Sequence, residues 1–174
     1  MPSLGELGEA CRIAAKKGGN MKPRTILTGL AVFLFGAAVS FAADMNMGTW
    51  KLNEAKSKLA AGGARNTSVV YEAAGDMVKI TVDGVDAAGK PVHHEWTGKY
   101  DGNDYPVTGD PTSDTRSYKA AGDRVLTFNA KKAGKVVMTG RVVLSADGKS
   151  RSVNVTTTDS SGKKTNTVGV YDKQ

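Results

Sequence analysis

The chain has 174 residues, 24 Lys and Arg against 17 Asp and Glu, and a single Cys at position 11. Beyond residue 42 it keeps 19 basic and 15 acidic side chains, a surplus of four, and no Cys, so that part carries no disulfide and its core must hold the fold alone. The charges are scattered, without a dense basic stripe or interleaved aromatics, which argues against a nucleic-acid-binding surface.

Taken in chain order, residues 1–20 are polar and Gly-rich, and they precede a short basic stretch, Met21-Lys22-Pro23-Arg24. Ile26 to Val39 is an apolar run of fourteen, followed by Ser40-Phe41-Ala42. The run is too short to cross a bilayer as a helix, and it ends in small residues that a signal peptidase accepts. The pattern predicts a signal peptide over 21–42, cleavage near Ala42 or Ala43, and a periplasmic or secreted domain over 43–174. Residues 1–20 then read as a start assigned too early, with Met21 as the true start. A signal anchor with a short cytoplasmic tail is the alternative.

Gly48 to Asn53 reads as a first strand. Asn53 is placed to cap a short helix over Glu54 to Ala60, which Gly62-Gly63 closes. Strands follow over about 66–73, 76–85 and 90–100, with apolar residues at every second position. Asp101 to Asp114 breaks the rhythm with two Pro and two Gly at turn signals; it reads as the longest loop, with a short strand at Asp104 to Val107. Strands resume over about 113–119, 123–130, 135–145, 149–158 and 163–172.

An eight-residue phrase recurs. Tyr71-x-Ala-Ala-Gly-Asp-x-Val78 returns 47 residues later as Tyr118 to Val125. Glycine punctuates the chain at 75 and 89, then at 122, 134, 148 and 162, at intervals of 14, then 12, 14 and 14. Each is expected to be the left-handed third residue of a three-residue hairpin loop. Strands of nine to eleven residues, roughly 30 Å long, remain between them. The expected fold is all-β: an up-and-down antiparallel meander closed into an 8–10-stranded barrel, with one short helix after the first strand.

Gly48-Thr49-Trp50-Lys51-Leu52 resembles the opening strand of cytosolic fatty-acid-binding proteins. Gly48-x-Trp50 is similar to the lipocalin opening motif, and Val170-Tyr171-Asp172-Lys173 resembles a fatty-acid-binding protein's last strand. The resemblance to the calycin group implies a barrel that binds a ligand in its interior. Two departures stand out. The fatty-acid-binding proteins' anion-binding Arg, two residues before the terminal Tyr, is Gly169 here. No Arg stands between Lys163 and Gln174 to stack on Trp50 as a lipocalin's last-strand Arg does.

Among polar residues, His93-His94-Glu95-Trp96 is the most suggestive stretch. On a strand, His93 and Glu95 share one face, and His94, Trp96 and Tyr100 share the other. Two ligands fall short of the three or four that a zinc-like metal needs, so no metal or cofactor is expected. Arg116 and Tyr118 share a face and can form an anion handle. No Cys nucleophile, Gly-x-Ser-x-Gly elbow or phosphate loop is found, so no catalytic residue is assigned and the protein is expected not to be an enzyme. The outward strand faces, such as 149–158, lack a lipid-facing apolar band and aromatic girdles, which argues against membrane insertion of the mature domain. The expected partner is a small apolar or amphipathic molecule. Trp50, His94, Trp96, Tyr100, Arg116 and Tyr118 are the candidate contacts, and the oligomeric state is left open. The alternative is a structural or interaction module whose barrel is filled.

Overall fold

The computed structural model describes residues 45–174. The predicted signal peptide and the segment before it lie outside the described residues. Ten strands run in chain order: β1 (Gly48–Leu52), β2 (Arg65–Ala74), β3 (Met77–Val85), β4 (Pro91–Gly98), β5 (Tyr105–Thr108), β6 (Thr115–Ala120), β7 (Val125–Lys132), β8 (Lys135–Leu144), β9 (Ser150–Thr158) and β10 (Lys164–Lys173). Every strand pairs antiparallel with its chain neighbours. β1 closes the ring against β10 through Trp50↔Lys173, Lys51↔Asp172 and Leu52↔Tyr171. The closed up-and-down barrel leaves no unpaired edge, which answers the edge problem of a long meander.

Alternation decides what lies inside. In β3, Val78, Ile80 and Val82 are buried while Lys79, Thr81 and Asp83 face outward. In β4, His94, Trp96 and Gly98 are buried, and His93 and Glu95 lie on the outer face, within reach of Asp83 and Lys79. β5 is the weak member. It pairs with β4 through Glu95↔Thr108 and Trp96↔Val107, and with β6 through Tyr105↔Arg116 and Pro106↔Thr115.

The helix expected over Glu54 to Ala60 is shorter than its composition suggests. A single 3-10 turn spans Glu54–Lys56, capped by the Asn53 side chain accepting from the Lys56 N–H. It stops because β10 captures the chain. The Lys58 and Val168 backbones exchange hydrogen bonds of 2.7 and 2.9 Å, and the Val170 N–H donates to Ser57 Oγ at 2.9 Å.

All six spaced glycines have positive φ at chain reversals, but the loops differ in length. Gly89 and Gly162 follow the expected pattern. Each donates its N–H to an Asp carbonyl three residues back, and that Asp, 86 or 159, also accepts backbone N–H groups on its own carboxylate. The repeated phrase, by contrast, builds two different turns. At its first copy Ala74 pairs with Met77, so Gly75-Asp76 is a two-residue loop rather than the expected three. Positive φ at the first loop position alone is the II′ pattern. At its second copy the Ala121 N–H donates to the Val125 carbonyl, and the Arg124 carbonyl is taken by the Leu144 N–H at 2.9 Å. That loop holds three residues, 122–124, with Gly122 at its first position and not its third.

Candidate functional site

The lumen is filled at one end and hollow at the other. At the filled end Trp50 is fully buried, and its Nε1 donates to the Asn46 backbone carbonyl at 2.7 Å. Trp96 packs there too, against Tyr118 (4.7 Å, edge-on), Tyr105 (5.8 Å, edge-on) and Tyr100 (6.4 Å, stacked). Gly98 makes room for this cluster, since a Cβ there would lie 2.5 Å from the Tyr105 ring.

Beyond the plug lies a cavity of about 650 Å³ that reaches the loops holding Asp86, Pro111, Asp159 and Lys163. Its size is in the range of small-molecule sites. The walls are mainly apolar, from Val69, Ile80, Val82, Phe128, Val142, Val153 and Val155. Inward glycines keep it wide: at Gly140 a Cβ would overlap the Phe128 ring, and Gly169 itself lines the cavity.

Polar groups interrupt that wall at two levels. Nearer the mouth, Arg116 Nη2 lies 2.6 Å from Asp110 Oδ2, with both side chains nearly inaccessible to solvent. Burial alone would raise the Asp110 carboxyl, but hydrogen bonds from Ser113 and Thr112 and the charge of Arg116 hold it down at about 2. His94 is buried beside this pair. Burial, reinforced by the positive charge of Arg116, pushes its imidazole down to about 4, so the ring is neutral near pH 7. Among the described residues neither His94 Nε2 nor Arg116 Nε has a hydrogen-bond partner.

Deeper in the lumen, Arg151 of β9 reaches the floor. Its guanidinium carbon lies 4.6 Å from the Trp50 ring centre, 4.7 Å from Tyr71 and 5.3 Å from Tyr171. Trp50 therefore does have an arginine on its face, although none stands in the last strand. The cation comes from the strand before it, where Arg151 pairs with Tyr171 across the ladder. Burial pushes the Tyr171 hydroxyl up to about 12, and that hydroxyl donates to the Asn66 carbonyl at 3.2 Å.

Of the six residues singled out in the sequence, His94, Arg116 and Tyr118 stand in the cavity wall. Trp50, Trp96 and Tyr100 are buried in the plug and are not part of that wall. Arg151, Asp110, Tyr71 and Tyr171 escaped the sequence analysis. A signal for Arg151 was available: it shares the parity of Val153 and Val155, so the alternation that turns those inward turns Arg151 inward too. Asp110 gave no such sign, because it lies in a loop.

A second depression, of about 520 Å³, crosses the outside of β7 to β10. Its outward side chains, among them Thr139, Arg141, Asn154 and Asn166, are solvent-exposed, so it offers a ligand little desolvation. Among the described residues no group of three or more His, Cys, Asp or Glu side chains is arranged to hold a metal ion.

No protein-family model and no curated protein matches the chain. Among solved structures it is similar to EF1p2_mFAP2b bound to DFHBI, at 10% identity over 79% of this chain and 100% of that one, with a TM-score of 0.49. It is also similar to a redesigned beta barrel, mFAP1, bound to DFHBI, at 16% identity over 76% of this chain and 99% of that one, with a TM-score of 0.42.

Proposed function

We propose that this protein is an exported, calycin-like binding protein that takes one small amphipathic molecule into its barrel and does not transform it. The observation that carries the proposal is the hollow half of the lumen: a cavity of about 650 Å³ with apolar walls, into which buried polar groups with unmatched atoms project. A filled barrel would close that space, because interiors otherwise pack to the density of organic crystals. Unmatched buried polar atoms are costly, at about 1–3 kcal/mol each, and a ligand that met them would recover part of that cost. Binding rather than turnover is favoured because Asp110, the buried carboxylate of the chamber, is engaged by Arg116. Export rests on the apolar leader over 21–42, and the ion-paired outer faces of β3 and β4 suit a water-facing exterior.

Native mass spectrometry of the protein purified from its own host, combined with titration of an anilinonaphthalene dye, tests this. The expected result is one bound molecule per chain. Val153→Phe, which pushes a ring into the lumen, should weaken dye binding by about tenfold, or ~1.4 kcal/mol. Apoprotein alone in the native spectrum with no saturable dye uptake, or equal binding by the narrowed variant, favours the filled structural module instead.

A further inference from the structure

The two lumenal arginines are compensated differently. Arg116 has a carboxylate at 2.6 Å. Arg151 is only 2% exposed, and among the described residues no carboxylate forms an ion pair with it. What surrounds it is the π faces of Trp50, Tyr71 and Tyr171, with Nη1 at 3.5 Å from Asn46 Oδ1. Its Nε, a donor in the fork that matches a carboxylate, has no partner.

Aromatic faces stabilise a cation, but they do not neutralise it. Removing an ion from water costs several kcal/mol even after relaxation, so an uncompensated guanidinium draws in a counter-charge. The charge of the hollow half follows by inspection. Arg116 and Asp110 cancel, His94 is neutral near pH 7, and at the mouth Arg65 and Lys163 offset Asp86 and Asp159. One positive charge remains, at the floor.

We propose that Arg151 anchors the head group of a monoanionic amphiphile, one bearing a single carboxylate. The head lies toward the Trp50 plug, and the apolar part runs along Ile80, Val82 and Val142 to the mouth. A guanidinium takes a carboxylate through two parallel hydrogen bonds. A single charge matches a single charge, whereas a dianion would leave a net negative charge in an apolar chamber. This assignment rests on the proposed binding role of the lumen, but it makes a separate claim about charge and orientation.

The test is a set of probes with one tail and different heads, namely dodecanoate, dodecanol, dodecyl phosphate and dodecyltrimethylammonium, titrated at pH 7.5 into the mature protein. Arginine Nε–Hε resonances are followed by NMR. Dodecanoate should bind at least about tenfold tighter than dodecanol, a difference of ~1.4 kcal/mol, and tighter than the dianionic phosphate. It should shift one Nε–Hε signal, the one missing from Arg151→Lys. The cationic probe should not bind. Arg151→Met should remove the preference for the acid over the alcohol. If that variant does not fold, as judged by circular dichroism, the head-group series on the unaltered protein decides alone. Equal affinity for alcohol and acid, or a shift of the Arg116 signal only, overturns the anchor while leaving the lumen a binding site. Failure of every probe to bind overturns both.

Discussion

At the scale of single residues, the polar wall of the lumen makes stability depend on pH in a defined direction. His94 titrates near 6.5 in an unfolded chain and at about 4 in the barrel, because burial and the adjacent Arg116 disfavour its charged form. The unfolded chain therefore binds more protons between these values. Stability is fully present above about pH 6.5 and falls as pH drops toward 4, by about 3 kcal/mol in all. Asp110 adds a loss of the same sign lower down, between 3.8 and about 2, as its carboxylate is protonated. Thermal unfolding of the unaltered protein between pH 7.5 and 4.5 should show a steep decline, and His94→Gln should flatten it. A variant whose acid decline matched that of the parent would show that His94 does not carry the effect. Other residue-scale features were open to sequence reasoning in unequal measure. The parity of Arg116 with Tyr118, and of His94 with Trp96, follows from chain geometry. The ion pair to Asp110 does not, because a loop residue has no period to place it.

At the scale of elements, the hairpins show how local chemistry and neighbouring strands share control. In the loop between β7 and β8, Lys132 pairs with Lys135, so Ala133 and Gly134 form a two-residue loop. Both have positive φ, 47° and 77°, the I′ pattern that suits the right-handed twist of the strands. Ala133 is the one described residue other than Gly with positive φ. It is held there by its N–H donating to Asp114 Oδ2 at 2.7 Å. Ala133→Gly should therefore stabilise the protein by about 0.5–1 kcal/mol, since Gly meets no Cβ clash in that region. Gly148, at φ 68°, works in the other direction: Gly148→Val should cost about 1–3 kcal/mol. Urea midpoints for the two variants provide the measurement, and shifts of the same sign would contradict the turn geometry. The repeated phrase is instructive here as well. Its glycines mark two reversals, as their spacing implies, yet identical letters make a two-residue loop in one place and a three-residue loop in the other.

At the scale of the whole molecule, the barrel is closed but not uniformly so. β5 is short, and Pro106 offers no N–H to the ladder. It lies within the Asp101 to Asp114 stretch, in which the regular turn spacing fails. The seam between β4 and β6 should therefore open first. In native-state hydrogen exchange, the amides of Tyr105, Val107 and Thr108 should be less protected than those of Val69 to Glu72 or Val153 to Val155. Protection of β5 equal to that of β2 and β9 would mean that the barrel opens only as a unit. Because Asp110 and Arg116 flank this seam and line the cavity, a ligand in the lumen should slow exchange there.

The sequence by itself determined the strand count within its stated range, the places where the chain reverses, the antiparallel order and which residues share a face of a strand. Those properties depend on interactions between residues close in the chain: a period of two, and glycines that accept positive φ. Only the tertiary structure decided that half of the lumen is empty, that Trp50, Trp96 and Tyr100 plug the other half, and that Arg151 reaches across to Trp50 with no ion-paired carboxylate among the described residues. These depend on ring closure, which brings β1, β2, β9 and β10 around one axis and sets side chains such as Asn46 and Arg151, 105 positions apart, side by side. No local pattern encodes which side chains meet once a sheet has curled on itself, because shear and tilt fix that register for the barrel as a whole.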